Sequence, residues 1–207
     1  MSVLKIDASA RLTESNSRAL TQYLVEQLNE NVIERDLVKQ PLPLISAQDL
    51  MGVHGSSDDS RESLQQHLSV SKQLIDELMA ADTLVFGSPI YNFTVPGVLK
   101  QWIDYVCRAG VTFKYGEQGP VGLTGIKRAF IITSSGGVPV GSPMDHASRY
   151  LEQICNFIGV EEVIHIDASG SKGAPELIIN EGKKQIDAAL AHIRIESAKN
   201  VNQAEPA

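Results

Sequence analysis

The sequence is poor in cysteine, and its histidines are scattered. Its 207 residues include only two cysteines, Cys107 and Cys155, which lie far apart and have no Cys-x-x-Cys spacing. A disulfide framework and a cysteine zinc site are therefore not indicated, and both residues are interpreted as packed thiols. The five histidines lack the paired spacing of metal ligands, so we expect no metal site.

Clustered positive charge and long apolar runs are also missing. The formal net charge is -7, and no Lys/Arg cluster is longer than the pair Lys183 and Lys184. This balance argues against nucleic acid and anionic membranes as partners. No apolar run approaches the roughly 18 residues of a membrane helix, and the start lacks a signal-peptide pattern. We therefore expect a cytoplasmic protein.

What the sequence does contain is a regular alternation of strand and helix patterns. The predicted strands are 3–8, 32–37, 83–90, 128–135 and 162–169. The first, third and fourth are nearly continuous in apolar residues, as expected of strands that are covered on both faces. Apolar residues at helical spacing predict helices through 20–28, 64–78, 99–106, 150–158 and 186–193.

Alternation of this kind predicts an α/β protein with a doubly wound, five-stranded parallel sheet. Five units favour the flavodoxin-like strand order 2-1-3-4-5 in a single domain, here residues 1–200, followed by a polar tail, 201–207. The connection 38–60 carries Pro, Gly and Ser and is long enough to be a functional lid or an interface loop.

Three loops are predicted to meet at the ligand crevice, which in such a sheet lies beyond the carboxyl ends of the central strands. After the first strand come Ser9, Ser15, Asn16 and Ser17, with Ser17 as the candidate N-cap of the first helix. Unpaired first-turn amides and serine hydroxyls suit a phosphate group. The alternative is that these side chains only cap the helix.

The second and third loops add aromatic residues and glycines. In "PIYNFTVP" (89–96), Tyr91 and Phe93 offer aromatic surface to a flat ligand and Asn92 offers an amide, unless the aromatics only anchor the loop to the core. In "TSSGGVPVG" (133–141), Gly136 and Gly137 can adopt positive φ and bring their amides to a ligand edge, although such pairs also occur in ordinary turns. The motifs G-x-G-x-x-G and G-x-x-x-x-G-K-[ST] are absent, which disfavours a Rossmann dinucleotide loop and a P-loop.

Taken together, these motifs resemble the FMN-dependent NADH-azoreductase family, relatives of the flavodoxin-like quinone reductases. The resemblance rests on Ser9, "SNS" (15–17), "PIYNFTVPGVLKQWID" (89–104), "RAGVTFKYGEQGPVGL" (108–123) and "TSSGG" (133–137), and extends over nearly the whole chain. The predicted cofactor-binding residues are Ser9, Ser15, Asn16, Ser17, Pro89, Ile90, Tyr91, Asn92, Phe93, Ser134, Ser135, Gly136 and Gly137.

Two positions depart from the pattern of that family. Ile90 stands where Met is frequent, a volume-conserving change that keeps apolar contact with a ring. Ser135 stands where Arg is common, which removes a cation from the crevice and leaves the preference for substrate and nicotinamide cofactor open.

The resemblance implies one FMN per subunit and alternating half-reactions, in which NADH or NADPH donates two electrons and a quinone or aromatic azo compound accepts them. It also implies a homodimer whose two sites are each completed by the neighbouring subunit. Phe93, Tyr115 and Phe157 are candidate walls of the acceptor site, although each could equally belong to the core. No acid/base triad is expected, since the flavin carries the chemistry.

Two other classes of protein share this fold. A flavodoxin that only carries electrons would bind FMN without a small substrate, but its phosphate loop is usually rich in Thr and Gly, unlike "TESNS". A flavin-free phospho-acceptor receiver would need several acidic residues at the strand ends, and only Asp7 lies near that region.

Overall fold

The computed structural model describes residues 1–47, 62–170 and 175–203, which form strands and helices in regular alternation. In chain order the elements are β1 (Ser2–Asp7), α1 (Asn16–Leu28), β2 (Asn31–Asp36), α2 (Glu62–Met79), β3 (Thr83–Pro89), α3 (Gly97–Val106), β4 (Phe113–Gly116), β5 (Gly119–Gly122), β6 (Arg128–Ser135), α4 (Ser148–Ile158), β7 (Glu162–Ser169) and α5 (Pro175–Gln203). Among the described residues, no helix is both long and apolar enough to cross a membrane.

Five strands form one parallel sheet in the order β2-β1-β3-β6-β7. This is the order 2-1-3-4-5 of the five predicted strands, so the prediction of a flavodoxin-like sheet is confirmed. The chain reverses its direction of winding between β1 and β3, which are neighbours in the sheet. The carboxyl ends of β1, β3 and β6 therefore share one edge, where a crevice forms in such sheets.

The two faces of the sheet bury separate apolar cores, because successive strand residues point to opposite faces. Leu4 and Phe86 face the core that contains α2, α3 and α4, where Phe86 meets Trp102 edge-on at 5.8 Å between ring centroids. Val3 and Phe130 face the other core, with apolar residues of α1 and α5. Burial on both faces explains why β1, β3 and β6 are nearly continuous in apolar residues.

The sequence did not predict the antiparallel hairpin of β4 and β5. Phe113 pairs with Gly122 and Gly116 with Gly119, so each strand has only four residues. Strands this short, with glycine at three of eight positions, have too few residues for an apolar alternation to be recognised.

The connection 38–60, predicted to be a lid or an interface loop, is described only in its first part. Residues 38–47 run across α3, where Gln101 donates a hydrogen bond to the carbonyl of Leu42 and the hydroxyl of Tyr105 donates one to the carbonyl of Pro43. The rest of that loop lies outside the described residues. At the other end of the chain, α5 continues to Gln203, and residues 204–207 of the predicted tail also lie outside them.

Candidate functional site

The loop between β1 and α1 ends in a serine cap. Ser15 has the extended backbone of an N-cap residue, and its Oγ accepts a hydrogen bond from the Arg18 amide at 3.5 Å. The prediction that Ser17 caps the helix is wrong, because Asn16 and Ser17 already belong to α1 and the side chain of Ser17 is fully buried. Several cap-forming residues in "TESNS" made the boundary ambiguous by two residues.

The serine hydroxyls form a connected, buried cluster at the start of α1. Ser15 Oγ donates to Ser9 Oγ at 3.0 Å and lies 3.2 Å from Ser17 Oγ. The first hydrogen bond of the helix runs from the Ala19 amide to the Ser15 carbonyl, so the amides of Asn16 and Ser17 precede it. Free first-turn amides next to hydroxyl groups are the chemistry of an anion site.

The loop after β3 is a tight two-residue turn. The amides and carbonyls of Tyr91 and Thr94 exchange hydrogen bonds of 3.0 and 3.1 Å, and Asn92 and Phe93 have φ values of 48° and 73°. Positive φ at both central residues is typical of a type I′ turn. Asn tolerates this conformation, whereas a bulky residue such as Phe93 seldom adopts it.

This turn projects its aromatic side chains away from the core. Phe93 is 52% exposed and Tyr91 is 39% exposed, so the alternative that both only anchor the loop to the core is not what the structure shows. The Tyr91 hydroxyl accepts a hydrogen bond from the Ala10 amide, and the Phe93 carbonyl accepts one from the His146 amide. The turn is thus tied to both neighbouring loops.

Ser135 organises the loop after β6. Its Oγ accepts hydrogen bonds from the amides of Gly137, at 3.2 Å, and Val138, at 2.8 Å. The expectation of positive φ is wrong for Gly136 and Gly137, since neither is among the glycines with positive φ. The serine side chain turns the chain here, so left-handed glycine conformations are not needed.

One cavity of about 330 Å³ joins the three loops. It is lined by Ser9, Arg11, Glu14, Ser15, Asn16, Pro89, Ile90, Tyr91, Ser134, Ser135 and Gly136. Four other predicted cofactor residues, Ser17, Asn92, Phe93 and Gly137, flank this lining in sequence without forming part of it. The hydroxyl of Ser17 contacts that of Ser15, which lines the cavity.

Arg11 and Glu14 line the cavity although the sequence analysis missed them. Arg11 is the one Lys or Arg among the lining residues, and Glu14 has a positive φ of 53°. Charged loop residues are usually solvated, so only their position between a strand end and an S-x-S segment could have singled them out. Arg11 lines the same cavity as Ser135. It thus supplies a cation to the cavity although Ser135 stands where the family pattern has Arg.

Tyr115 and Phe157 lie in a separate aromatic cluster. The Phe113 ring sits between them, with centroid distances of 5.5 Å to Tyr115 and 4.2 Å to Phe157. Tyr115 is 78% exposed, whereas Phe157 is half-buried against the core. Neither lines the 330 Å³ cavity, so their assignment to the acceptor site stays a prediction.

Comparison with known proteins agrees with this geometry. The family described as having a flavodoxin-like fold matches residues 1–190. FMN-dependent NADH:quinone oxidoreductase 1 of Hahella chejuensis is 44% identical over 192 residues, which cover 90% of this chain and 94% of the relative. FMN-dependent NADH:quinone oxidoreductase 2 of Pseudomonas fluorescens is 41% identical over 196 residues, with coverages of 92% and 98%.

Solved structures give the same relationship. An azoreductase from Bacillus anthracis superposes with a TM-score of 0.79 at 30% identity, covering 91% of this chain and 98% of that one. An FMN-dependent NADH-azoreductase from the same species, solved in complex with FMN, has a TM-score of 0.81 at 25% identity, with coverages of 92% and 99%. The chain therefore belongs to the flavodoxin-like fold family and, within it, to the FMN-dependent NADH:quinone oxidoreductases.

Proposed function

We propose that the protein is a cytoplasmic, FMN-dependent NADH:quinone oxidoreductase that also reduces aromatic azo compounds. The observation that carries this proposal is a single cavity that combines a buried serine cluster at a helix start with an exposed aromatic turn. One end offers donors to an anion, and the other offers apolar and aromatic surface to a planar group. FMN has both chemical parts in one molecule.

The phosphate of FMN fits the β1–α1 end of the cavity. Ser9 and Ser15 supply hydroxyls, the amides of Asn16 and Ser17 are free of helical partners, and Arg11 adds a positive charge. A helix N-terminus with several hydrogen-bond donors suits a dianion without requiring a lysine.

The flavin ring fits the opposite end. Pro89 and Ile90 provide apolar contact and Tyr91 an aromatic surface, while the backbone around Ser135 and Gly136 offers polar groups to a ring edge. Bound FMN supplies the two-electron redox chemistry, and the chain orients it and limits the access of water. The proposed activity therefore does not require an acid/base triad.

We also propose that the active species is a homodimer. Tyr115 is 78% exposed on the β4–β5 hairpin and does not line the cavity of its own subunit. A two-fold interface that covers the hairpin would bury this ring and bring it towards the partner's cavity. Quinones and azo compounds would then bind against residues of both subunits.

Flavin binding and turnover test the function in two steps. Purified protein loaded with FMN should be yellow, and should oxidise NADH at a rate that depends on added benzoquinone or azo dye. Paired initial rates with NADH and NADPH give the donor preference. An electron carrier would bind FMN but show no acceptor-dependent NADH oxidation, and absence of any FMN binding would exclude both the carrier and the enzyme.

A further inference from the structure

Arg18 occupies an unusual place for a cation. It lies in the first turn of α1, next to the positive end of the helix dipole, and its side chain is only 13% exposed. A buried positive charge at a helix start is electrostatically unfavourable unless other groups compensate for it. The compensating groups show what the side chain does.

Two strand ends meet at the Arg18 guanidinium. Its Nε and Nη2 donate to the carbonyl of Ser9, two residues after the end of β1, at 3.2 and 2.8 Å. Its Nη1 and Nη2 donate to the two carboxylate oxygens of Asp36, at the end of β2, at 2.5 and 2.9 Å. The planar fork of arginine can make both sets of contacts at once, which lysine cannot.

Asp36 is itself fixed in place. It accepts hydrogen bonds from the amides of Val38 and Lys39, both at 3.1 Å. Burial alone would raise the pKa of Asp36, but the hydrogen bonds from Arg18 and from these two amides lower it to about 2. The carboxylate is therefore ionised at neutral pH and holds the guanidinium in one orientation.

The consequence falls on Ser9. Arg18 holds the carbonyl of Ser9. The Ser9 Oγ accepts hydrogen bonds from the Arg11 amide at 3.3 Å and from Ser15 Oγ at 3.0 Å. Arg18 itself does not line the 330 Å³ cavity, and its charge is already opposed by Asp36 and, at 3.8 Å, by Asp7. The hydrogen bonds of Arg18 therefore connect it to a ligand in that cavity through the geometry of the serine cluster.

We propose that Arg18, clamped by Asp36, is a positioning residue that orients the Ser9 and Ser15 hydroxyls towards the phosphate of FMN. The inference rests on the proposed function and deepens it. Removing the fork would release the Ser9 carbonyl and let the hydroxyl pair turn away from the phosphate. Contacts to the flavin ring, made by other loops, would remain.

Comparing FMN with riboflavin separates this role from a general structural one, because riboflavin has the same ring and lacks the phosphate. We expect Arg18→Lys to weaken FMN binding about tenfold and to leave riboflavin binding within about twofold, as measured by fluorescence titration of the flavin-free protein. Asp36→Asn should also weaken the binding of FMN more than the binding of riboflavin. It serves as the second variant should Arg18→Lys not fold.

Arg35→Lys is the matched control. Arg35 is also a largely buried arginine, 11% exposed, and makes a two-pronged contact with Glu77, but it has no contact with the serine cluster among those described. It should lower stability in urea while leaving the preference for FMN over riboflavin unchanged. If Arg18→Lys changes the preference for FMN over riboflavin no more than Arg35→Lys does, the role of Arg18 is overturned, while the proposed function stands. A wild-type protein that binds no FMN would overturn the proposed function as well.

Discussion

Phe93 holds a backbone conformation that its own side chain disfavours. Its φ of 73° lies in the left-handed region, which costs a residue with a Cβ about 1–2 kcal/mol. The ring is 52% exposed, so burial returns little of that cost. Backbone strain of this kind clusters at ligand sites, so it supports the proposal that the exposed Phe93 side chain serves a ligand.

Replacing Phe93 with glycine should separate the effect of the residue on stability from its effect on activity. Glycine removes the strain but gains freedom in the unfolded chain, so we expect Phe93→Gly to raise the free energy of unfolding by about 0.5–1 kcal/mol. FMN-dependent quinone reduction should fall at the same time, as measured by kcat/KM. Asn29→Gly is the control, because Asn29 has a φ of 51° at the end of α1 and should stabilise the protein without affecting activity. Lower stability for Phe93→Gly would contradict the strain argument.

Asp145 anchors the loop that holds this turn. Its carboxylate accepts hydrogen bonds from the amides of Gly141, Ala147 and Ser148 and from the Ser148 hydroxyl. Burial alone would raise its pKa, but the hydrogen bonds from Ser148 and from the Gly141 and Ala147 amides hold the pKa below its ordinary value of 3.8. The ionised form is thus the one that stabilises the fold.

The direction of the pH dependence follows from that shift. A carboxylate whose pKa is lowered by folding contributes its full stabilisation above its ordinary pKa and loses it as the pH falls through the lowered value. We expect Asp145→Asn to cost about 2 kcal/mol near pH 7, and the difference from wild type to shrink below about pH 4. Urea unfolding of both proteins between about pH 7 and pH 3 measures this difference in the free energy of unfolding. Asp76→Asn, which alters an exposed pair with Lys72, should change stability by less than about 0.5 kcal/mol.

For single residues, the sequence predicted which side chains lie at the crevice more reliably than it predicted their backbone conformations. Ser9, Ser15 and Tyr91 could be placed at the crevice because each follows a recognisable strand. Arg11 and Arg18 could not, since a charged residue near a helix start is usually a solvated one. Only the folded chain shows that Arg18 joins the ends of two strands that are 29 residues apart at Asp7 and Asp36.

The β4–β5 hairpin is held to α4 by the closest backbone packing among the described glycines. A Cβ added to Gly122 would lie 2.1 Å from the Gly159 amide nitrogen, and Thr124 donates from both its amide and its hydroxyl to the Ile158 carbonyl. The contact leaves no room for a side chain. It also fixes Phe113 against Phe157 and thereby places Tyr115.

Gly122→Ala should therefore push the hairpin away from α4. Because backbone atoms and not a flexible side chain oppose the new methyl group, we expect a loss of about 3 kcal/mol in the free energy of unfolding. The fluorescence of Trp102, the single and fully buried tryptophan, reports the transition in urea. Gly97→Ala is the control, since a Cβ there would meet nothing within 4 Å. If Gly122→Ala and Gly97→Ala were equally stable, the hairpin would be able to move away from α4 without a loss of stability, which would contradict the prediction.

The difference between the central sheet and this hairpin shows what the sequence can predict at the scale of an element. β1, β3 and β6 are buried on both faces, so their composition is constrained at nearly every residue and the strands are visible in the sequence. The hairpin depends on a close contact between Gly122 and Gly159, two residues that give no periodic signal and are far apart in the chain. Its position relative to the cavity needed the folded structure.

At the scale of the whole molecule, the separation of Tyr115 from the cavity of its own subunit is the feature that a dimer would explain. An exposed aromatic residue on a rigid hairpin is well placed for a two-fold contact. Tyr115→Lys should then weaken association about tenfold or more in sedimentation experiments. Leu177→Lys, at a residue that is 70% exposed on α5, should leave association unchanged.

Mixing two inactive variants tests whether each site is shared between subunits. Ser15→Asp keeps an N-cap side chain but repels a phosphate. Tyr115→Ser removes the ring without adding a charge, and the variants are mixed at a protein concentration at which both are dimeric. If Tyr115 acts in the partner's site, a mixed dimer contains one site with both residues intact. Random mixing makes half of the dimers mixed, and each mixed dimer has one intact site out of two. We therefore expect about a quarter of the wild-type activity to return. If Tyr115 acts only within its own subunit, each mixed dimer carries one defect in each site, and mixing restores nothing.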